Sequence, residues 1–151
     1  YHGAATEYSD LLLSEETRLP GVSGNCIDLQ LQIDLSQARL FSLRLLKGER
    51  HETILSFDTK AGICTFDRTR SGVAITSTEE TDVNVRRVRV DLSGTIDVRI
   101  LIDISSVEVF LNGGKTAMTA NVYPDTDDTA ITFAAEGMAR MRKVRCYPIL
   151  A

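Results

Sequence analysis

The chain of 151 residues has no tryptophan, only three prolines and three cysteines, and just 6% aromatic residues. Without an indole face it lacks the best platform for stacking a long polysaccharide. Cys26, Cys64 and Cys146 stand far apart and form no C-x-x-C pair, which argues against a zinc or redox motif. Three unpaired thiols favour a reducing compartment such as a bacterial cytoplasm, with a secreted parent as the alternative. An excess of basic charge is missing too. Lys and Arg number 17 against 21 Asp and Glu, a net charge of −4, which speaks against nucleic acid or an anionic membrane as partner. No apolar run approaches the roughly 20 residues needed to cross a bilayer. No charged segment followed by an apolar one marks a signal peptide. The first residue is Tyr1 rather than Met, so we expect a segment of a longer polypeptide.

Metal and cofactor motifs are equally scarce. His2 and His51 have no second His or Cys at ligand spacing. Asp125, Asp127 and Asp128 are not followed by the Gly and Glu of a calcium loop, and a solvated acidic turn is expected there. We therefore expect no metal and no cofactor.

What the chain has in quantity is alternation. Ile96, Val98, Ile100, Ile102 and Ile104 fall at every second position, with Asp97, Arg99, Leu101 and Asp103 between them. Side chains of a strand alternate between faces, so this stretch has one aliphatic face and one largely charged face. Val107, Val109 and Leu111 resume the pattern after Ser105-Ser106, and Asn112-Gly113-Gly114 supplies residues that tolerate a positive φ for a reversal. Residues 26–34 repeat the pattern, with Ile27, Leu29, Leu31 and Ile33 opposite Asp28, Gln30, Gln32 and Asp34. Residues 63–67 pair with 51–58 in an expected hairpin, residues 77–83 read as a polar loop, and residues 1–24 are the least regular part.

About ten short strands follow, separated by turn signals, and nothing longer than a helical turn at 14–18 competes with them. The expected fold is all-β, a two-sheet antiparallel β-sandwich of the concanavalin A-like jelly-roll kind, with a closed barrel as the alternative. One domain covers residues 1–151.

The segment Ile102-Asp103-Ile104-Ser105-Ser106-Val107-Glu108-Val109-Phe110-Leu111-Asn112-Gly113-Gly114 resembles the signature of the C-terminal β-sandwich of glycoside hydrolase family 32. Phe66-Asp67-Arg68-Thr69-Arg70-Ser71-Gly72 is similar to a second motif of that domain, and Phe133-Ala134-Ala135-Glu136-Gly137 and Val144-Arg145-Cys146-Tyr147-Pro148 to its last two strands. Ile104, Gly113 and Tyr147 depart from the Arg, Asp and Trp that many members carry there. The family comprises β-fructosidases: invertases, levanases, inulinases and sucrose-6-phosphate hydrolases. The resemblance implies a retaining hydrolysis by two carboxylates on an N-terminal propeller. The Asn-Asp-Pro, Arg-Asp-Pro and Glu-Cys motifs that hold them are absent from this chain.

The resemblance thus implies a non-catalytic sandwich, excised from a longer β-fructosidase, whose partner is the propeller of the same polypeptide. A fructan-binding module and a free lectin-like sandwich are the alternatives, with fructan or fructose as the ligand. Candidates for a sugar or domain contact are Asp67, Arg68, Glu108 and Phe110. Glu108 and Phe110 have the parity opposite to Val107 and Val109, so both point outward. Arg68 shares the parity of Cys64 and Phe66, so its guanidinium is expected inside, on a backbone carbonyl. No catalytic residue is expected in this chain.

The face assignment makes a direct prediction. Ile100→Asp or Val109→Asp buries an unpaired carboxylate at a cost of several kcal/mol, comparable to a whole domain's stability. Both variants are expected not to fold, while Asp97→Ala unfolds in denaturant at the wild-type midpoint. A wild-type midpoint for Ile100→Asp would show the faces to be inverted.

Overall fold

The computed structural model describes residues 2–72 and 84–150. The polar stretch expected as a loop at 77–83 lies outside the described residues. The strands are β1 (Thr6–Leu13), β2 (Ile27–Asp34), β3 (Ala38–Lys47), β4 (Thr53–Asp58), β5 (Ile63–Asp67) and β6 (Val85–Arg89). They continue with β7 (Thr95–Ile102), β8 (Ser106–Leu111), β9 (Thr116–Asn121), β10 (Ala130–Gly137) and β11 (Ala139–Pro148). One sheet has the order β1-β11-β2-β7-β8-β9 and the other β10-β3-β4-β5-β6, with every pairing antiparallel. Both sheets keep two edges, so the molecule is an open sandwich and not a closed barrel.

The alternating residues do what their spacing demands. Leu29, Ile33, Ile96, Ile100 and Val109 turn inward from the six-stranded sheet, and Phe41, Leu43, Leu55, Phe57 and Phe133 meet them from the other. Phe41 and Phe57 sit directly opposite on β3 and β4, with ring centroids 6.2 Å apart. Cys64 and Cys146 are buried free thiols, and Cys26 is half-buried. Burial pushes the Cys64 thiol up to about 12, which leaves it an inert part of the core.

The first 24 residues are more regular than their sequence implies, because they contain the eight-residue edge strand β1. Asp10 has a φ of 52°, which breaks the two-residue period. Tyr8 and Leu11, three apart, consequently pack on the same core. The partner strand β11 carries its own irregularity between Met141 and Lys143, and Met141 and Val144, also three apart, are both buried. Residues 14–18 form no helical turn; Thr17 instead bridges to Phe133.

At one end of the sandwich the two sheets are tied together. Tyr123 donates its backbone N–H to Ser71 O at 2.6 Å, and Gly72 beside it has a φ of 103°. A Cβ on Gly72 would lie 2.1 Å from the Tyr123 carbonyl oxygen. Gly72→Ala therefore meets both backbone strain and a contact that cannot yield, and is expected to cost about 2–4 kcal/mol in chemical denaturation. Gly113→Ala, with nothing within 4 Å of its Cβ, meets only the strain of its positive φ. Equal losses in the two variants would discount the sheet-to-sheet contact.

Candidate functional site

The alternation that builds the core also decides what faces outward on the six-stranded sheet. Three cross-strand rows result. Tyr147, Asp28, Leu101, Glu108 and Thr119 lie opposite one another on β11, β2, β7, β8 and β9. Arg145, Gln30, Arg99 and Phe110 form the next row, and Lys143, Gln32 and Asp97 the third. Between them is a groove of about 610 Å³, reaching from Lys143 and Arg145 to Phe110 and the Gly113-Gly114 turn.

Asp28 anchors this face, although its side chain is 0% exposed. Arg99 donates to it twice, Nε to Oδ1 at 3.0 Å and an Nη2 to Oδ2 at 2.8 Å, in the bidentate fork that suits a carboxylate. His2 Nε2 lies 2.8 Å from Oδ2, and Gln30 Nε2 donates to the same oxygen at 3.3 Å. The His2 ring stacks on Tyr147 at 4.5 Å, so the start of the chain is fastened to the sheet through this carboxylate. Burial by itself pushes the Asp28 pKa up, but the Arg99 hydrogen bonds and charge, with Gln30 and His2, outweigh it and hold the carboxyl below its ordinary value. No spacing rule joins His2, Asp28, Arg99 and Tyr147, and the sequence motifs did not find them.

The residues singled out from sequence fall in two places. Glu108 and Phe110 are half-buried on the outer face of β8, as their parity implies, and Phe110 lines the groove. Glu108 forms no ion pair with the described residues. Asp67 and Arg68 belong to the other sheet. Asp67 is half-buried at the end of β5 and its Oδ1 accepts the Thr69 N–H at 2.8 Å. Arg68 is buried between the layers, where Nε donates to Asn121 O at 2.6 Å and an Nη1 donates to Asn84 Oδ1 at 2.6 Å. Its guanidinium carbon stands 5.9 Å from the centre of the Tyr123 ring. Arg68 thus joins β5 to β9 across the sandwich, and the four residues do not share a face.

The same end of the sandwich carries a second set of charges. Glu52 is buried among Arg44, Lys47 and Arg70, at 3.3, 3.5 and 3.9 Å. His51 Nδ1 is 2.7 Å from Asp128 Oδ2 and 3.5 Å from Asp125 Oδ2. Asp128 is buried, contrary to the solvated turn expected at 125–128. The loop folds back so that Asp128 Oδ2 accepts the Asp125 N–H at 2.7 Å, over Gly48, where a Cβ would strike its Oδ1. His51, Asp125 and Asp128 could converge on a cation, but the Arg50 guanidinium already sits 2.7 Å from Asp125. That hydrogen bond holds the Asp125 carboxyl below its ordinary value. We read the cluster as a loop clasp.

The Asp28 network has a pH signature. A carboxyl whose folded pKa is depressed stabilises fully above its ordinary value, here 3.8, and loses that contribution as pH falls through the folded value. Arg99→Leu leaves the buried carboxylate short of its main partner and is expected to cost about 2–4 kcal/mol at neutral pH. In Arg99→Leu burial acts without its main counterweight and pushes the carboxyl up. The gap from wild type should therefore begin to narrow above pH 3.8 as the stranded charge is protonated, and narrow further below it as wild type loses its own contribution. Denaturant titrations of both proteins across that range check this; a gap independent of pH would mean that lost packing, not charge, sets the cost.

Comparison with known proteins places this geometry. The family described as glycosyl hydrolases family 32 C terminal matches residues 3–148. A levanase of Bacillus subtilis is 26% identical over 155 residues, covering 97% of this chain and 22% of the levanase. An extracellular exo-inulinase of Aspergillus awamori is 29% identical over 130 residues, covering 83% of this chain and 24% of the inulinase. The crystal structure of exo-inulinase from that organism superposes with a TM-score of 0.74 at 25% identity, over 98% of this chain and 29% of the other. The chain therefore spans about a quarter of the length of the relatives it matches. It belongs to the C-terminal β-sandwich domains of glycoside hydrolase family 32.

Proposed function

We propose that this chain is the non-catalytic sandwich of a β-fructosidase, packing on the catalytic propeller of the same polypeptide and stabilising it. The observation that carries the reading is the position of its uncovered apolar side chains. Of six exposed large hydrophobic residues among the described ones, Ile104, Tyr123, Ile149 and Leu150 lie at one end of the sandwich. Backbone contacts join their loops: Ile149 N–H to Cys26 O, Val122 N–H to Ser105 O, and Tyr123 N–H to Ser71 O. His2 pairs with Ile149 at that same end, so a preceding domain would be attached beside the patch. An exposed apolar patch at the point of attachment is what a packed domain interface leaves when its other half is removed.

The absence of the three acidic propeller motifs supports a non-catalytic role. A levanase and an exo-inulinase among the relatives make a β-fructosidic bond the expected target of the parent. A second reading, as a fructan-binding module, is favoured by the groove on the six-stranded sheet.

The interface reading predicts cooperative behaviour. In the whole polypeptide, Ile104→Glu with Leu150→Glu should lower the melting temperature and expose the interdomain link to protease. In the isolated chain the same pair, both residues being exposed, should change stability by no more than about 0.5 kcal/mol per site. The isolated chain should release no reducing sugar from sucrose, levan or inulin. A whole polypeptide whose melting is untouched by the pair, or hydrolysis by the isolated chain that a single carboxylate-to-amide change abolishes, would overturn the reading.

A further inference from the structure

We infer that the groove on the outer face of the six-stranded sheet is a binding site for a short neutral oligosaccharide, held by Phe110, Arg99, Gln30, Gln32 and Lys143. The identification of that sugar as a β-fructan rests on the functional reading above; the site itself rests on four observations.

The first is placement. The groove crosses four adjacent strands, β11, β2, β7 and β8, and so spans about 15 Å at the usual strand spacing. Its volume of about 610 Å³ falls in the range of small-molecule sites. The end bearing Ile104 and Leu150 is a different surface, so a domain docked there leaves this face open.

The second is the floor. The outward positions of a sheet facing water are expected to be polar, yet Leu101 and Phe110 stand half-buried here, diagonal neighbours on β7 and β8. An aromatic ring with an aliphatic neighbour offers a flat apolar surface to the C–H face of one sugar ring. Among the described residues Phe110 is the one ring lining the groove, which suits stacking of a single unit.

The third is a preformed donor. Asp28, fully buried, holds Arg99 by Nε and one Nη2 hydrogen and fixes the plane of the guanidinium. The Arg99 side chain stays half-exposed in the groove with its remaining N–H groups unspent on Asp28. A guanidinium locked this way presents adjacent N–H donors that fit neighbouring hydroxyls, and little rotamer freedom is lost when it binds. Gln30 and Gln32 add amides from the next strand, and each can both donate and accept, as hydroxyls require.

The fourth is charge, and it selects the ligand class. Arg99 is neutralised by Asp28, and Arg145 by Glu7 at 3.2 Å. Lys143 and Asp97 remain, one of each sign, flanking Gln32 in a single row and without ion pairs among the described residues. The lining itself holds three cations and one carboxylate, and only when the paired Asp28 and Glu7 beside it are counted do the charges sum to zero. A site for a phosphorylated sugar would show several cations not spent on carboxylates, whereas here Lys143 alone is unspent and Asp97 stands in its row.

The chain itself should be titrated with short β-fructo-oligosaccharides, following backbone amide chemical shifts. We expect saturable shifts centred on Gln30, Gln32 and Phe110, with a dissociation constant of about 1 mM for so shallow a site. Phe110→Ala should weaken binding about tenfold, the loss of one aromatic contact. Gln32→Ala should weaken it severalfold, and both variants should remain folded, with cooperative melting and wild-type amide dispersion away from the groove. Asp67→Asn, on the other sheet, should bind as wild type. No shifts at tens of millimolar sugar, or binding unchanged in Phe110→Ala and Gln32→Ala, would overturn the site while leaving the interface reading intact. Inorganic phosphate that saturates the groove where the neutral sugar does not would overturn the ligand class.

Discussion

Everything in this molecule hangs on one constraint: two sheets must each commit every second residue to a shared apolar layer. Leu29, Ile33, Ile96 and Ile100 from one sheet and Phe41, Leu43, Leu55 and Phe133 from the other close that layer completely. At about 25 cal/mol per Å² of apolar surface, no surface feature of the domain compares with it. The layer leaves little freedom elsewhere. A residue of the opposite parity is sent to an outer face whatever its chemistry, and functional side chains have to be drawn from those positions or from the loops at the two ends. Phe110 is outward because Val109 and Leu111 are inward, and no local preference of phenylalanine for water is involved.

The same constraint explains what could be read from the sequence. Where the two-residue period is unbroken, as in β2, β7 and β8, the strands, their faces and even the glycine-bearing reversal at 112–114 were legible, and all three turn residues have positive φ. Where the period breaks, the last strand was still legible at 141–149, but the first showed only as a possible short strand at 11–13. Asp10 in a left-handed conformation and the irregularity at Arg142 both add a residue, so Tyr8 and Leu11, or Met141 and Val144, face inward three apart. A strand of that kind looks irregular in sequence although it is fully paired. The outward-facing sites suffered differently. Asp28 and Arg99 are 71 residues apart, so their bond is a product of strand order, which the apolar pattern does not encode. Asp128 was expected in solvent because three acids in one turn are usually solvated. The fold instead brought His51 and a glycine under it.

Electrostatics in this domain serves arrangement more than net stability. Glu52 and Asp28 are both buried carboxylates, and each is surrounded by cationic or polar partners. A buried ion pair adds little stability relative to an apolar pair of the same volume. What it adds is geometry. Arg68, with its Nε on a β9-end carbonyl and an Nη1 on Asn84, fixes how the two sheets meet at one end. Asp28 fixes the plane of Arg99 and the path of the chain at His2. Arginine and carboxylate are used here as rigid struts.

The distribution of these struts separates the outer face of the six-stranded sheet and its loop end into different kinds of contact. At the loop end Ile104, Tyr123, Ile149 and Leu150 are exposed among polar neighbours, and backbone hydrogen bonds tie their loops to adjacent ones. Apolar side chains set among polar ones in this way resemble half of an interdomain contact. On the sheet face the apolar part is one ring and one leucine, bordered by amides and a guanidinium whose orientation is already set. Such a surface suits a ligand rich in hydroxyls, because it can pair each polar group without waiting for side chains to rearrange. On the readings proposed above, the sandwich would meet a neighbouring domain with one surface and a sugar with another. The two do not compete, since the alternation of the strands has assigned them to different positions.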